Sequence, residues 1–244
     1  MRLKNSILIL VALVSFTTVL HAQKPKTLKP ISWRVIDIPE PSDICMHPNQ
    51  KSFFIVSDDG YLFETDLKGD VIRKSTYRGL DSEAVHADEN YVYVVEEFTR
   101  KIIVLDIKNL ETVRTVHHPY AGGRNKSYEA FTFNKAKEVF VLLTEKEPIY
   151  LFELDKNLNK INEINMNHIA RDISAATYFE NHLWLLSDED RTVFKLNPTT
   201  YEVINKWIVP VVNPEGITFQ ENGTMIIISD DMERMYFFNH PERQ

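Results

Sequence analysis

Leu80–Glu97 reads LDSEAVHADENYVYVVEE, and KIIVLD (Lys101–Asp106) and ETVRTVH (Glu111–His117) follow it. An acidic start leads into four short runs rich in Val, Ile and Tyr, separated by polar turns. That pattern predicts a small four-stranded antiparallel sheet. One such sheet cannot cover both of its faces, so its sequence demands neighbours of the same kind.

The neighbours are present. Five segments carry a polar anchor before an apolar stretch: Ser42-Asp43-Ile44, Ser82-Glu83-Ala84, Tyr128-Glu129-Ala130, Ile173-Ser174-Ala175 and Pro214-Glu215-Gly216. From Asp43 to Glu83 is 40 residues, and the later anchors follow at 46, 45 and 41. Each anchor precedes a second run ending in an acid: Asp58, Glu96, Glu145, Asp188 and Asp230. Repeats of about 40–45 residues, four strands each, stack in a ring as a β-propeller. The expected fold is therefore all-β and five-bladed, with a six-bladed ring or a sandwich less consistent with the repeat. The blades fall at about 40–79, 80–120, 126–170, 171–210 and 212–239 within a single domain at 31–240. The fifth unit ends after three strands, whereas Ser32–Pro39 (SWRVIDIP) is an unclaimed strand ahead of the first. Pairing the two closes the last blade and covers an open edge.

The chain starts with Arg2 and Lys4, the apolar run Ser6–Leu20, and Ala22 before Gln23. This is the plan of a secretory signal at 1–22, followed by a Lys/Pro-rich linker at 23–30, and its apolar run is too short to span a bilayer. The expected location is periplasmic or secreted, with association to the envelope open and the mature chain a monomer without a transmembrane span. The net charge is −7, and loss of Arg2 and Lys4 takes it to −9. Such a chain is a poor binder of phosphate backbones, so nucleic acid is not an expected partner. A lone cysteine, Cys45, excludes a disulfide framework and a Cys-rich zinc site, and its apolar surroundings place it in the core. His47 and His86 fall within strand patterns and read as inner-blade residues. No G-x-S-x-G, H-E-x-x-H or P-loop pattern occurs.

In a hairpin the start of one strand lies beside the end of the next. The anchors Asp43, Glu83, Glu129 and Glu215 should thus gather at one end of the channel with the second-strand acids. Carboxylates crowded there must be partly protonated or share a cation, and oxygen-only ligands in an irregular ring favour Ca2+. Ser174 holds the fourth anchor. The second-strand acids read as mainly architectural, bracing turns or pairing with Arg100, Arg191 and Arg234. Arg78, Arg124 and Arg171 lie in the connections before anchors and would suit a small anionic ligand.

Glu40–Ile44 (EPSDI), Phe53–Lys74 (FFIVSDDGYLFETDLKGDVIRK), Leu80–Glu97 and Asn213–Asp231 (NPEGITFQENGTMIIISDD) together resemble the SdiA-regulated, YjiK-like family of bacterial extracytoplasmic propellers, over about Pro39 to Asn239. NHL-type and gluconolactonase-like propellers are more distantly similar. The resemblance implies envelope association and, for some members, calcium response or a phytase-like activity. By motif it implies Glu83, Glu129 and Glu215 as axial site residues, with Asp43 in their place in the first blade and Ser174 departing in the fourth. Three functions follow as expectations: a Ca2+- or ligand-binding module, a metal-dependent hydrolase of phosphoesters or lactones, and a scaffold for an envelope protein.

Overall fold

The computed structural model describes residues 24–123 and 126–244. The signal segment at 1–22 and Arg124 lie outside the described residues. Alternating Val, Ile, Phe and Tyr at the expected places form five antiparallel sheets arranged as a five-bladed propeller. Their innermost strands are Pro41–Met46, Ser82–Ala87, Tyr128–Asn134, Ala175–Phe179 and Pro214–Phe219. Each of these packs against the next, and the fifth packs against the first.

Five apolar cores fill the five blade junctions. Between blades 4 and 5, Trp184, Leu186 and Trp207 meet Ile217, Phe219 and Phe238. Between blades 1 and 2, Phe54 and Val56 meet Val85, Val94 and Leu105, with Cys45 buried among them as a free thiol. Each blade is thus a wall for two cores, which is why no unit could stand alone.

Ser32–Val35 pairs antiparallel with Arg234–Phe238 and completes blade 5, as its sequence position suggests. A second closure was not legible: Lys26–Thr27, inside the stretch read as a linker, adds in parallel to Val203–Ile208 as a fifth strand of blade 4. Lys29 N donates to Gln244 Oε1 at 3.2 Å, so the leading segment also reaches the last residue. Among the described residues, no helix is long and apolar enough to cross a membrane.

The inner hairpins share one irregularity that sets the site. Register slips by one residue between Pro41 and Asp43, Ser82 and Ala84, Tyr128 and Ala130, and Pro214 and Gly216. In blade 4 the Ser174 amide bonds Leu186 O while Ala175 already faces Leu186. The extra residues are therefore Ser42, Glu83, Glu129, Ser174 and Glu215. A bulge of this kind turns its side chain out of the ladder, here toward one end of the channel.

The residue after each bulge is crowded. Ala84, Ala130, Ala175 and Gly216 hold the position, and a Cβ on Gly216 would sit 2.9 Å from Asp43 Cα and 2.8 Å from Ile44 N. Backbone cannot yield as a side chain can. Gly216→Ala should cost about 1–3 kcal/mol in urea unfolding; an unchanged midpoint would show that blades 5 and 1 are looser than described.

Candidate functional site

The five bulges deliver Ser42, Glu83, Glu129, Ser174 and Glu215 to the wall of one mouth of the channel, a cavity of about 180 Å3. The ends of the second strands add Asp58, Glu145, Asp188 and Asp230, and Asp172 comes from the connection into blade 4. Eight carboxylates thus share a space the size of a few water molecules. Two tighter groups occur within and beside it: Asp58, Asp81 and Glu83, and Glu97, Glu129 and Glu145. In each, one oxygen per residue lies within 4.8 Å of the others.

Hydrogen bonds to the surrounding backbone hold this wall in place. Glu97 Oε1 accepts from Ser127 N at 2.5 Å, and the Glu97 amide donates to Asp81 O at 2.8 Å. Ser57 Oγ donates to Pro39 O at 2.6 Å. Ser187 Oγ donates to Asp172 Oδ1 at 2.5 Å, while the Asp188 amide donates to Asp172 Oδ2 at 3.1 Å. Ser174 Oγ donates to Pro214 O at 2.9 Å and links blades 4 and 5. The acids themselves open on the mouth, yet protein surrounds them on the remaining sides.

Both facts raise their pKa values, burial first and neighbouring carboxylates next. Glu215 rises to about 8, with Asp188, Asp230, Asp172 and Glu145 as the nearby charges. Glu83 and Glu129 stand well above the usual carboxylate range for the same two reasons. Glu97 reaches about 7, and Asp58 and Asp188 about 6. At neutral pH the mouth therefore carries bound protons that a cation could displace. Lys146 is the basic side chain set against it, contacting Glu145 and lying 3.2 Å from Glu189.

Several expectations need correction. Asp43 does not line the mouth, because the register gives its expected place to Ser42. Asp43 occupies the crowded position instead, is 1% exposed, and its Oδ2 accepts from Val85 N at 2.9 Å across the junction of blades 1 and 2. Burial holds its carboxyl well above its ordinary pKa. Its alignment with the glutamates was one residue out, since the register sets Asp43 level with Ala84, Ala130, Ala175 and Gly216.

Blade 2 shows the same slip. Glu96 pairs with Ser82 where the other blades carry Ser57, Thr144, Ser187 and Ser229, and it accepts from Tyr77 Oη at 2.6 Å. Glu97 is the acid that joins the mouth cluster. The other second-strand acids are not the turn braces expected of them, since four of them line the cavity. Their supposed partners are engaged elsewhere: Arg100 donates to Gly122 O at 3.0 Å, and the Arg234 guanidinium lies 4.2 Å from the Trp33 ring centroid.

The basic ring around the mouth does not form among the described residues. Arg78 stacks 4.9 Å from the Tyr61 ring centroid and donates to Asp59 O at 3.4 Å. Arg171 is exposed and pairs with Asp190 at 2.6 Å. Sequence reading missed Ser42, Asp81, Glu97, Asp172 and Lys146. Spacing from the bulge could have found two of them, since Asp81 and Asp172 both lie two residues before it.

Comparison with known proteins agrees with this architecture. The family model described as SdiA-regulated matches residues 30–239. A search of the curated proteins finds no match. Among solved structures, glutaminyl cyclase of Myxococcus xanthus superposes with a TM-score of 0.69 at 12% identity, over 87% of this chain and 95% of that one. The β-propeller domain of Cps50 (Swd1) from Myceliophthora thermophila gives 0.54 at 9% identity, over 85% and 99%. At these identities the likeness is one of fold.

Proposed function

The chain belongs to the SdiA-regulated family, and on that premise we propose that it is an extracytoplasmic binding module whose acidic mouth takes a hard divalent cation, with Ca2+ the best match. One observation carries this reading: eight carboxylates line a single cavity of about 180 Å3. Leaving them all ionised without a counter-charge is too costly, and protons held on Glu83, Glu129 and Glu215 are the alternative that their raised pKa values describe. Oxygen donors from five blades, unequal in length and including Ser42 and Ser174, suit the loose coordination of Ca2+ better than the strict octahedron of Mg2+. Glu83, Glu129 and Glu215 would supply the central oxygens, with Asp58, Glu97, Glu145 and Asp188 around them. The extracytoplasmic setting rests on the signal-like Met1–Ala22.

Cation entry should expel protons, because the ligands must ionise to bind. Calorimetric titration with Ca2+ at about neutral pH should show saturable binding whose heat depends on the ionisation enthalpy of the buffer. Glu129→Gln should weaken it at least about tenfold while leaving the fold intact. Absence of binding at millimolar Ca2+ would end the proposal. A hydrolase acting on phosphoesters would call on a cationic clamp at the same mouth, and neither Arg78 nor Arg171 is placed to provide it.

A further inference from the structure

The inner strands run from the acidic mouth to the opposite end of the channel, where a second and larger cavity of about 870 Å3 opens. Its floor follows the same register as the mouth. Three residues beyond each bulge stand Cys45, His86, Thr132, Thr177 and Thr218, and all five line this cavity. Four residues beyond stand Met46, Ala87, Phe133, Tyr178 and Phe219, and these line it too. The fold thus supplies two stacked sets of five: one of hydrogen-bonding groups, one apolar and largely aromatic.

The hydrogen-bonding set is uncharged. Thr132 and Thr218 are each 2% exposed, and their hydroxyls carry no charge at any ordinary pH. His86 sits edge-on to Phe131 and Phe140, at 6.2 and 6.1 Å between ring centroids, with Tyr93 at 6.0 Å. That apolar box lowers its pKa to about 4 and keeps the imidazole neutral, with one donor and one acceptor nitrogen. Burial raises the Cys45 thiol well above its ordinary range, so it stays protonated. Lys135, Glu89 and Glu221 stand on the exposed rim and include both signs, and the half-buried Asp88 is held by Tyr93 Oη, which donates to its Oδ2 at 2.6 Å. Glu180, also on the rim, is taken up by Arg243 at 3.0 Å.

We propose that this cavity binds an uncharged, flat, mainly apolar small molecule bearing one or two hydrogen-bonding heteroatoms. Its volume falls within the range of small-molecule sites, and aromatic walls around a few converging polar groups are the usual make-up of one. An ion would find no counter-charge among Cys45, His86, Thr132, Thr177 and Thr218. The half-buried rings of Phe133, Tyr178 and Phe179 would hold the ring system, with Phe219 stacked behind Phe179 at 4.5 Å, and the Thr hydroxyls and His86 would orient its heteroatoms. This site is independent of the cation proposed for the other end of the channel.

The test uses N-phenyl-1-naphthylamine, an uncharged aromatic fluorophore with one N–H. With the mature chain it should give saturable one-to-one binding with increased, blue-shifted emission. Ala87→Trp, which fills the cavity from the partly exposed end of a strand, should weaken binding at least about tenfold with little change in melting temperature. Methyl and imidazole NMR signals of the unaltered chain give a reading that needs no variant: Met46, Thr177 and His86 should shift together on titration. Non-saturating fluorescence, undiminished binding in a folded Ala87→Trp protein, or unmoved Met46, Thr177 and His86 signals would each overturn the proposal.

Discussion

Saturating Ca2+ is expected to raise the melting temperature of the chelator-treated protein by about 5–10 °C at about pH 8, and excess chelator to reverse the gain. A ligand at a hundred times its dissociation constant stabilises the native state by about 2.7 kcal/mol. For a domain of this size each kcal/mol moves the midpoint by about 2–4 °C. The effect should be larger at pH 8 than at pH 5, because at pH 5 protons already neutralise Glu83, Glu129 and Glu215 and compete with the ion. Differential scanning fluorimetry across pH, with and without Ca2+, checks both statements. An equal shift at both pH values would detach the ion from these carboxylates.

The second expectation runs against the usual outcome of mutating a buried group. Glu215→Gln should stabilise the cation-free protein at about pH 8 by about 2 kcal/mol while abolishing the Ca2+-dependent gain. The folded-state pKa of Glu215 is raised to about 8, above that of the unfolded chain. The native state therefore holds a proton that the unfolded state has released, and stability must fall as pH rises between those two values. Glu97 at about 7 and Asp58 and Asp188 at about 6 bend the curve the same way. Each unit of upward displacement corresponds to about 1.4 kcal/mol, and the acids share the burden, so one substitution recovers only part of it. Gln keeps the shape and removes the charge. Chemical denaturation of both proteins from pH 5 to 8 should show curves that coincide in acid and diverge in base. Parallel curves would mean that Glu215 titrates normally.

The same acids that weaken the empty ring are thus the ones proposed to hold a cation. Stability is set aside at the mouth and supplied by the five junction cores, where Trp184, Phe53, Phe54 and Phe131 are fully buried. Asp43 links blades 1 and 2 on that structural side, its carboxyl accepting an amide hydrogen bond from Val85.

The ring itself was legible because a 40–46-residue repeat of alternating apolar residues admits few other packings, and the unclaimed strand at Ser32–Val35 fitted the gap left after Phe238. The site was legible only to within one residue. Ser42-Asp43 and Glu96-Glu97 each offer two polar side chains in succession, and only the pairing of Pro41 with Ser57 or Ser82 with Glu96 decides which one joins the mouth. The arginines misled for a related reason: distance along the chain to an anchor does not fix direction, and the Tyr61 ring claims Arg78 first. Lys26–Thr27 carried no signal at all, since two residues adding in parallel to a finished blade need no pattern of their own. The far cavity was hidden because Thr132, Thr177 and Thr218 are ordinary strand residues until the ring brings them together.

The central claim is that the bulged glutamates converge on a shared cation. Anomalous diffraction from crystals grown with Ca2+ tests it most directly. The account predicts a peak in the mouth with carboxylate oxygens of at least two among Glu83, Glu129 and Glu215 at about 2.3–2.6 Å. Water alone at hydrogen-bonding distances from those side chains, in crystals soaked at saturating Ca2+, would contradict it.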